Sequence, residues 1–146
     1  RASHQQIYRE LGRLRDRGLV ESEEISQSGK PNRIMHTITE EGRKTVKNWS
    51  TKPVRMPSIK DELLVKLYAM DTVDIPAMRE QISVRIEQHQ SKLTAFRRIK
   101  ERYYDGHTLS KNQTGKLIAL EMGISDEINR IRDWETILEK MTEAGF

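Results

Sequence analysis

With 146 residues, 33% of them charged and only 5% aromatic, the chain has few large side chains for one full-size core, and a helical assembly that borrows apolar surface from a partner fits better. No cysteine is present, which excludes disulfides and thiolate chemistry, and there is neither a signal-peptide pattern nor an apolar run near the ~18 residues of a membrane span, so a cytoplasmic protein without membrane partners is expected. The net charge of +4 is uneven: residues 1–60 hold 13 Lys and Arg against 7 Asp and Glu, residues 61–146 hold 13 against 15, and the basic excess suited to nucleic acid, an anionic membrane or plain water lies wholly in the first segment.

Taken in chain order, the first helix is predicted over about Ser3 to Arg17. Ser3-x-x-Gln6 matches a capping box, Ile7, Leu11 and Leu14 form one apolar stripe, and Gly18 suits a left-handed stop. Leu19 to Ile25 reads as extended, the cluster Ser26 to Asn32 as a turn, and Ile34, His36 and Ile38 alternate as in a strand. Helix, strand, turn and strand in this order have the shape of the later part of a winged helix. Thr39 caps a further helix carrying Val46 and Trp49, with Glu40 and Glu41 at its positive end. Lys52 to Pro57 reads as a linker, after which Ser58 is expected to cap a short helix with Leu63, Leu64, Leu67 and Tyr68.

Asp74-Ile75-Pro76 is a strong helix start. From Ile75 to Tyr103 apolar residues recur at intervals of three, four or seven; Asp105-Gly106 interrupts them, and Ser110 opens a second such helix running past Met141. Two long helices with a short break predict an antiparallel hairpin. Gly123, inside the second, marks a bend or a close contact.

Several of these pieces together resemble the PadR family of transcriptional regulators. They are Ser3-His4-Gln5-Gln6-Ile7-Tyr8-Arg9-Glu10-Leu11, Gly18-Leu19-Val20, Gly29-Lys30-Pro31-Asn32-Arg33, Ile38-Thr39-Glu40-Glu41-Gly42-Arg43 and Trp49, followed by Asp61-Glu62 and Lys66-Leu67. The long carboxyl-terminal arm is similar to the branch of that family containing virulence gene activators. The resemblance implies a mainly α fold with a small β-wing: a winged helix-turn-helix, partial at its amino end, followed by a long helical hairpin for dimerisation. Two further helices are expected ahead of Arg1, because the family's winged domain has them and Ile7, Leu11 and Leu14 would otherwise be bare. His36 stands where the family has an aromatic residue, which bears on local packing.

The residues themselves suit double-stranded promoter DNA. The amino end of an α-helix meets base edges in the major groove, and here it presents Ser3, His4 and Gln5; Gln pairs with adenine, and Ser and His serve base or phosphate. Tyr8, Arg9 and Arg13 lie away from the apolar stripe and suit phosphates or guanine. At the wing, Gly29 permits close backbone approach, and Lys30 and Arg33 suit phosphate or a narrow minor groove, with Lys44 and Lys47 adding backbone contacts. The competing reading is a solvated helix face beside an ordinary hairpin.

No other chemistry is predicted. His4, His36, His89 and His107 are scattered, so no metal or other cofactor is expected; the paired acids Glu40-Glu41 and Asp61-Glu62 sit at helix starts; neither a nucleophile arrangement nor a phosphate loop is present, and the chain is not read as an enzyme. Dimerisation is assigned to Ile82, Ile86, Leu93, Phe96, Ile124, Ile128, Ile131, Trp134 and Leu138. Trp134, Phe96 and Met141 are interface core first and the lining of a site for a small aromatic effector second, and His89 is a polar residue tolerated at a helix seam. The expected organisation is a DNA-binding winged domain over 1–53 and a dimerising helical domain over 58–146, acting as a homodimeric regulator. The alternatives are a helical scaffold protein with an incidental basic half, or a ligand-sensing dimer.

Overall fold

The computed structural model describes residues 3–26, 33–57 and 61–146, and the chain divides into two compact units, residues 1–58 and 59–146. In the first, helix α1 (His4–Asp16) is followed by strands β1 (Val20–Ile25) and β2 (Arg33–Ile38) and helix α2 (Glu40–Ser50). The second is all helical: α3 (Glu62–Leu67), α4 (Ile75–Tyr103) and α5 (Lys111–Glu143).

Local chemistry sets the ends of these elements. Ser3 and Gln6 form the expected capping box: the Ser3 N–H donates to Gln6 Oε1 at 2.9 Å and the Gln6 N–H to Ser3 Oγ at 3.3 Å. At the other end Gly18 takes φ +68°, so that its N–H reaches the Arg15 carbonyl at 2.8 Å while the Leu19 N–H reaches Leu14 at 2.9 Å. This Schellman stop turns the chain straight into β1. β1 and β2 pair antiparallel from Val20–Ile38 to Ile25–Arg33. His36, opposite Ser22, meets the Ser22 hydroxyl through Nδ1 at 2.8 Å, so its local packing is that of a polar cross-strand pair.

Thr39 caps α2, accepting from the Gly42 N–H at 3.0 Å, and its hydroxyl donates to the Gly18 carbonyl at 2.7 Å. The Thr39 N–H donates to the Leu19 carbonyl at 3.1 Å. The start of α2 is thereby fastened to the end of α1 and the start of the wing. Gly42 is buried there, and a Cβ on it would lie 2.2 Å from the Leu19 carbonyl oxygen.

The second unit begins differently from the sequence expectation. Ser58 lies outside the described residues, and the helix that follows starts at Glu62 with Asp61 as its cap, the carboxylate accepting from the Leu63 N–H at 3.1 Å. The other Asp61 oxygen takes a 2.9 Å ion pair from Arg85. Asp74 and Ser110 cap the two long helices as predicted. α4 and α5 pack antiparallel: Arg79 reaches Thr142, Phe96 faces Gly123 and Lys100 reaches Glu121, partner numbers falling as the chain advances. A Cβ on Gly123 would come within 2.9 Å of the Phe96 ring, so this glycine marks a close contact.

The core of the unit gathers Leu63, Met78, Ile82, Ile86, Trp134 and Met141, with Ile131 and Leu138 against it. This corrects part of the dimer assignment. Ile82, Ile86, Leu93 and Trp134 are already buried inside one chain, so they have almost no surface left for a second copy. Phe96, Ile124, Ile128, Ile131 and Leu138 are half-buried. A stripe at intervals of three and four reports a helix face that needs covering, and here the other arm of the hairpin covers much of it. Val84, Ile99, Ile118 and Met122 remain exposed on the long helices.

One buried group went unnoticed in the sequence. Glu127 is 2% exposed in the α4–α5 seam. Its carboxylate accepts from His89 Nδ1 at 2.5 Å and pairs with Lys92 Nζ, while His89 Nε2 is buried with no hydrogen-bond partner among the described residues. Burial pushes the Glu127 carboxyl up, but the Lys92 and His89 hydrogen bonds and charges outweigh it and hold the group below the usual carboxylate range.

Candidate nucleic-acid interface

α1 sorts its residues by face. Ile7, Leu11 and Leu14 lie along one side, with Ile7 48% exposed and the other two half-buried. Gln5, Arg9, Gly12 and Arg13 lie on the other, with His4 and Tyr8 at its border. Ser3, His4, Gln5, Tyr8, Arg9 and Arg13 are all exposed. The cap engages the Ser3 oxygen and the Gln6 amide oxygen, so both are partly committed to holding the helix start. His4 and Gln5 stand immediately beyond them, at the positive end of the helix macrodipole.

The two arginines share one acid. Arg13 Nη1 lies 2.8 Å from Glu10 Oε1 and Arg9 Nε 3.6 Å from the same oxygen. All three side chains are more than half exposed, so the pairs are held only weakly and the guanidiniums are available to a stronger anion. Gly12 sits among these polar residues in the helix interior. A Cβ there would meet nothing within 4 Å, and yet glycine costs a helix about 1 kcal/mol relative to alanine.

Arg33 opens β2 and is exposed. Gly29 and Lys30, assigned to the wing tip, lie outside the described residues, as does Ser28. Lys44 and Lys47 are exposed on α2, Lys44 within 4.0 Å of Glu41. The structure therefore brings Gln5, Arg9 and Arg13 together on one face of α1, with Tyr8 at its edge and Ser3 and His4 at the start of the helix, and places Arg33 on the wing strand of the same unit. Sequence reading passed over Gly12, although an interior glycine in an otherwise good helix pattern was a visible signal. Among the described residues, no helix is long and apolar enough to cross a membrane.

Comparison with known proteins places these features in a wider group. Residues 59–141 match the family described as virulence activator alpha C-term, and residues 1–48 match the transcriptional regulator PadR-like family. A probable transcriptional regulator of Mycobacterium tuberculosis is 27% identical over 154 residues, spanning 98% of this chain and 79% of that protein. The virulence activator AphA of Vibrio cholerae aligns with a TM-score of 0.78 at 25% identity, over 99% of this chain and 80% of its own. Bacillus subtilis PadR in complex with operator DNA aligns with a TM-score of 0.76 at 24% identity, over 96% and 80% of the two chains. The same protein in complex with p-coumaric acid gives 0.73 at 23% identity, over 97% and 79%. The shared fold is mainly helical, with a two-stranded antiparallel wing and a long carboxyl-terminal helical region.

Proposed function

The chain belongs to the family of the virulence activator alpha C-terminal domain and carries a PadR-like domain ahead of it, and from that premise we propose that it regulates transcription by gripping operator DNA as a homodimer. The supporting observation is the two-faced α1: a capped helix whose apolar stripe points one way while Gln5, Arg9 and Arg13 point the other. In this reading residues 1–53 bind DNA and 58–146 pair the chains. Gln5 and Arg9 meet base edges; Arg13, Tyr8 and Arg33 hold phosphates, with Ser3 and His4 at the groove floor and Gly29 and Lys30 on the flanking strand. No reaction is catalysed, and the regulator acts by occupying its site.

A twofold dimer sets its two copies of α1 about 34 Å apart, in successive major grooves. Half-buried Phe96, Ile124, Ile128, Ile131 and Leu138, together with exposed Ile99, Ile118 and Met122, offer apolar surface for the pairing. Sedimentation of the intact protein is expected to show a dimer, and a concentration-independent monomer would refute the pairing. Binding to duplex DNA should weaken steeply as salt rises, since each neutralised phosphate releases counterions. Gln5→Ala is expected to weaken the preferred duplex about tenfold and leave random duplex nearly unchanged. Arg13→Ala should weaken both alike and lower the salt slope by about one. The absence of salt-dependent binding to any duplex would leave the helical-scaffold reading standing.

A small aromatic effector is a second reading, favoured by the Bacillus structure that holds p-coumaric acid. Trp134 and Met141 are used in this chain's own core, so such a ligand would not be lined by them. A rise in melting temperature with phenolic acids is the observation that would support it.

A further inference from the structure

We infer that Gly12 lets the backbone of the middle of α1 close in on duplex DNA, an inference that rests on reading α1 as the groove-entering helix. Gly12 lies on the face opposite Ile7, Leu11 and Leu14, one turn beyond Tyr8 and Arg9 and two beyond Gln5. Among the described residues, nothing in the folded unit calls for a glycine there. Gly18 is needed for its positive φ and Gly42 for its contact with the Leu19 carbonyl, whereas Gly12 has no left-handed backbone and, apart from its chain neighbours and the adjacent helix backbone, no described atom within 4 Å of where a Cβ would stand. Glycine in a helix interior weakens the helix and is at home where a backbone must approach a ligand. Arg9 and Arg13, its neighbours on this face, both reach toward Glu10. A helix whose first residues touch base edges brings its middle turns against the wall of the groove, where any side chain at this position would hold it off.

The test uses the intact protein and the duplex that it selects from a random-sequence library, with affinity read by fluorescence anisotropy at fixed salt. Gly12→Ala and Gly12→Leu should melt no lower than the wild type, since both residues favour helix over glycine. Affinity should fall about threefold for Ala and about thirtyfold or more for Leu, a loss graded by side-chain volume. Wild-type affinity in Gly12→Leu overturns the inference. Equal losses in the two variants overturn it as well, because they would trace to lost helix flexibility and not to clearance. A wild-type protein that selects no duplex is a different failure, that of the DNA-binding reading itself.

Discussion

Gly42→Ala should unfold the wing end of the first unit while leaving the helical hairpin intact. The added methyl would lie 2.2 Å from the Leu19 carbonyl oxygen and 2.8 Å from Ile38 Cγ1. Neither obstacle is a free side-chain end. The carbonyl belongs to backbone that already accepts from the Thr39 N–H at 3.1 Å, three residues before the substitution. Moving α2 away from Leu19 would break that bond and the Thr39 hydroxyl bond to Gly18 together. Alanine gains about 1 kcal/mol of helix propensity, far less than overpacking against main chain costs, and a net loss of about 3 kcal/mol is expected. Hydrogen exchange should show α1, β1, β2 and α2 losing protection while α4 and α5 keep theirs, and DNA binding should fail with the wing. Unchanged protection in residues 3–50 would show that the close approach is not obligatory.

Lys92→Met is expected to destabilise the second unit by about 2 kcal/mol at neutral pH, and the loss should shrink in acid. The substitution keeps most of the lysine stem and removes the ammonium, which faces Glu127 and stands 5.5 Å from the centre of the Phe96 ring. The remaining buried carboxylate is then held by His89 alone. In the wild type the Glu127 pKa lies below its unfolded value, so its contribution is fully present above that unfolded value and is lost as pH falls through the lower, folded pKa. Without Lys92 the effect of burial is opposed less, the carboxyl moves upward, and protonation in mild acid relieves the uncompensated charge. Denaturant unfolding of both proteins at pH 7, 5 and 4 should show the gap closing. A gap that does not change with pH would mean that the lysine acts through packing and not through charge.

What could be read from the sequence was mostly local. Ser3, Thr39, Asp74 and Ser110 were legible as helix caps, and Gly18 as a stop, because capping depends on a few adjacent residues. The exception follows from the same locality: Ser58 looked like a cap, but the described helix is capped by Asp61, which also pairs with Arg85 of a later element. Non-local choices were less visible. Periodicity marked Ile82, Leu93 and Trp134 as needing cover, but not that their own hairpin supplies it. Glu127 was missed although its position follows strict spacing. From Leu120 and Ile124 the alternation of four and three falls on 127, 131, 134, 138 and 141, but the apolar neighbour Ile128 drew the stripe aside. On α1 the polar face was visible in the sequence. The exchange of Glu10 between two arginines was not, since it depends on rotamers.

The buried carboxylate also fixes how the two arms slide past one another. Apolar stripes repeating every seven residues would accept a shift of one heptad, about 10 Å along the helix. Such a shift would bring Leu120 or Trp134 opposite His89, and Glu127 opposite Ile82 or Phe96. The apolar residues would find comparable neighbours in either slipped arrangement. The buried carboxylate would lose both donors, at a cost of several kcal/mol. One acid among the aliphatic residues thus removes a degeneracy that the stripes alone would leave open, and gives the hairpin a single alignment.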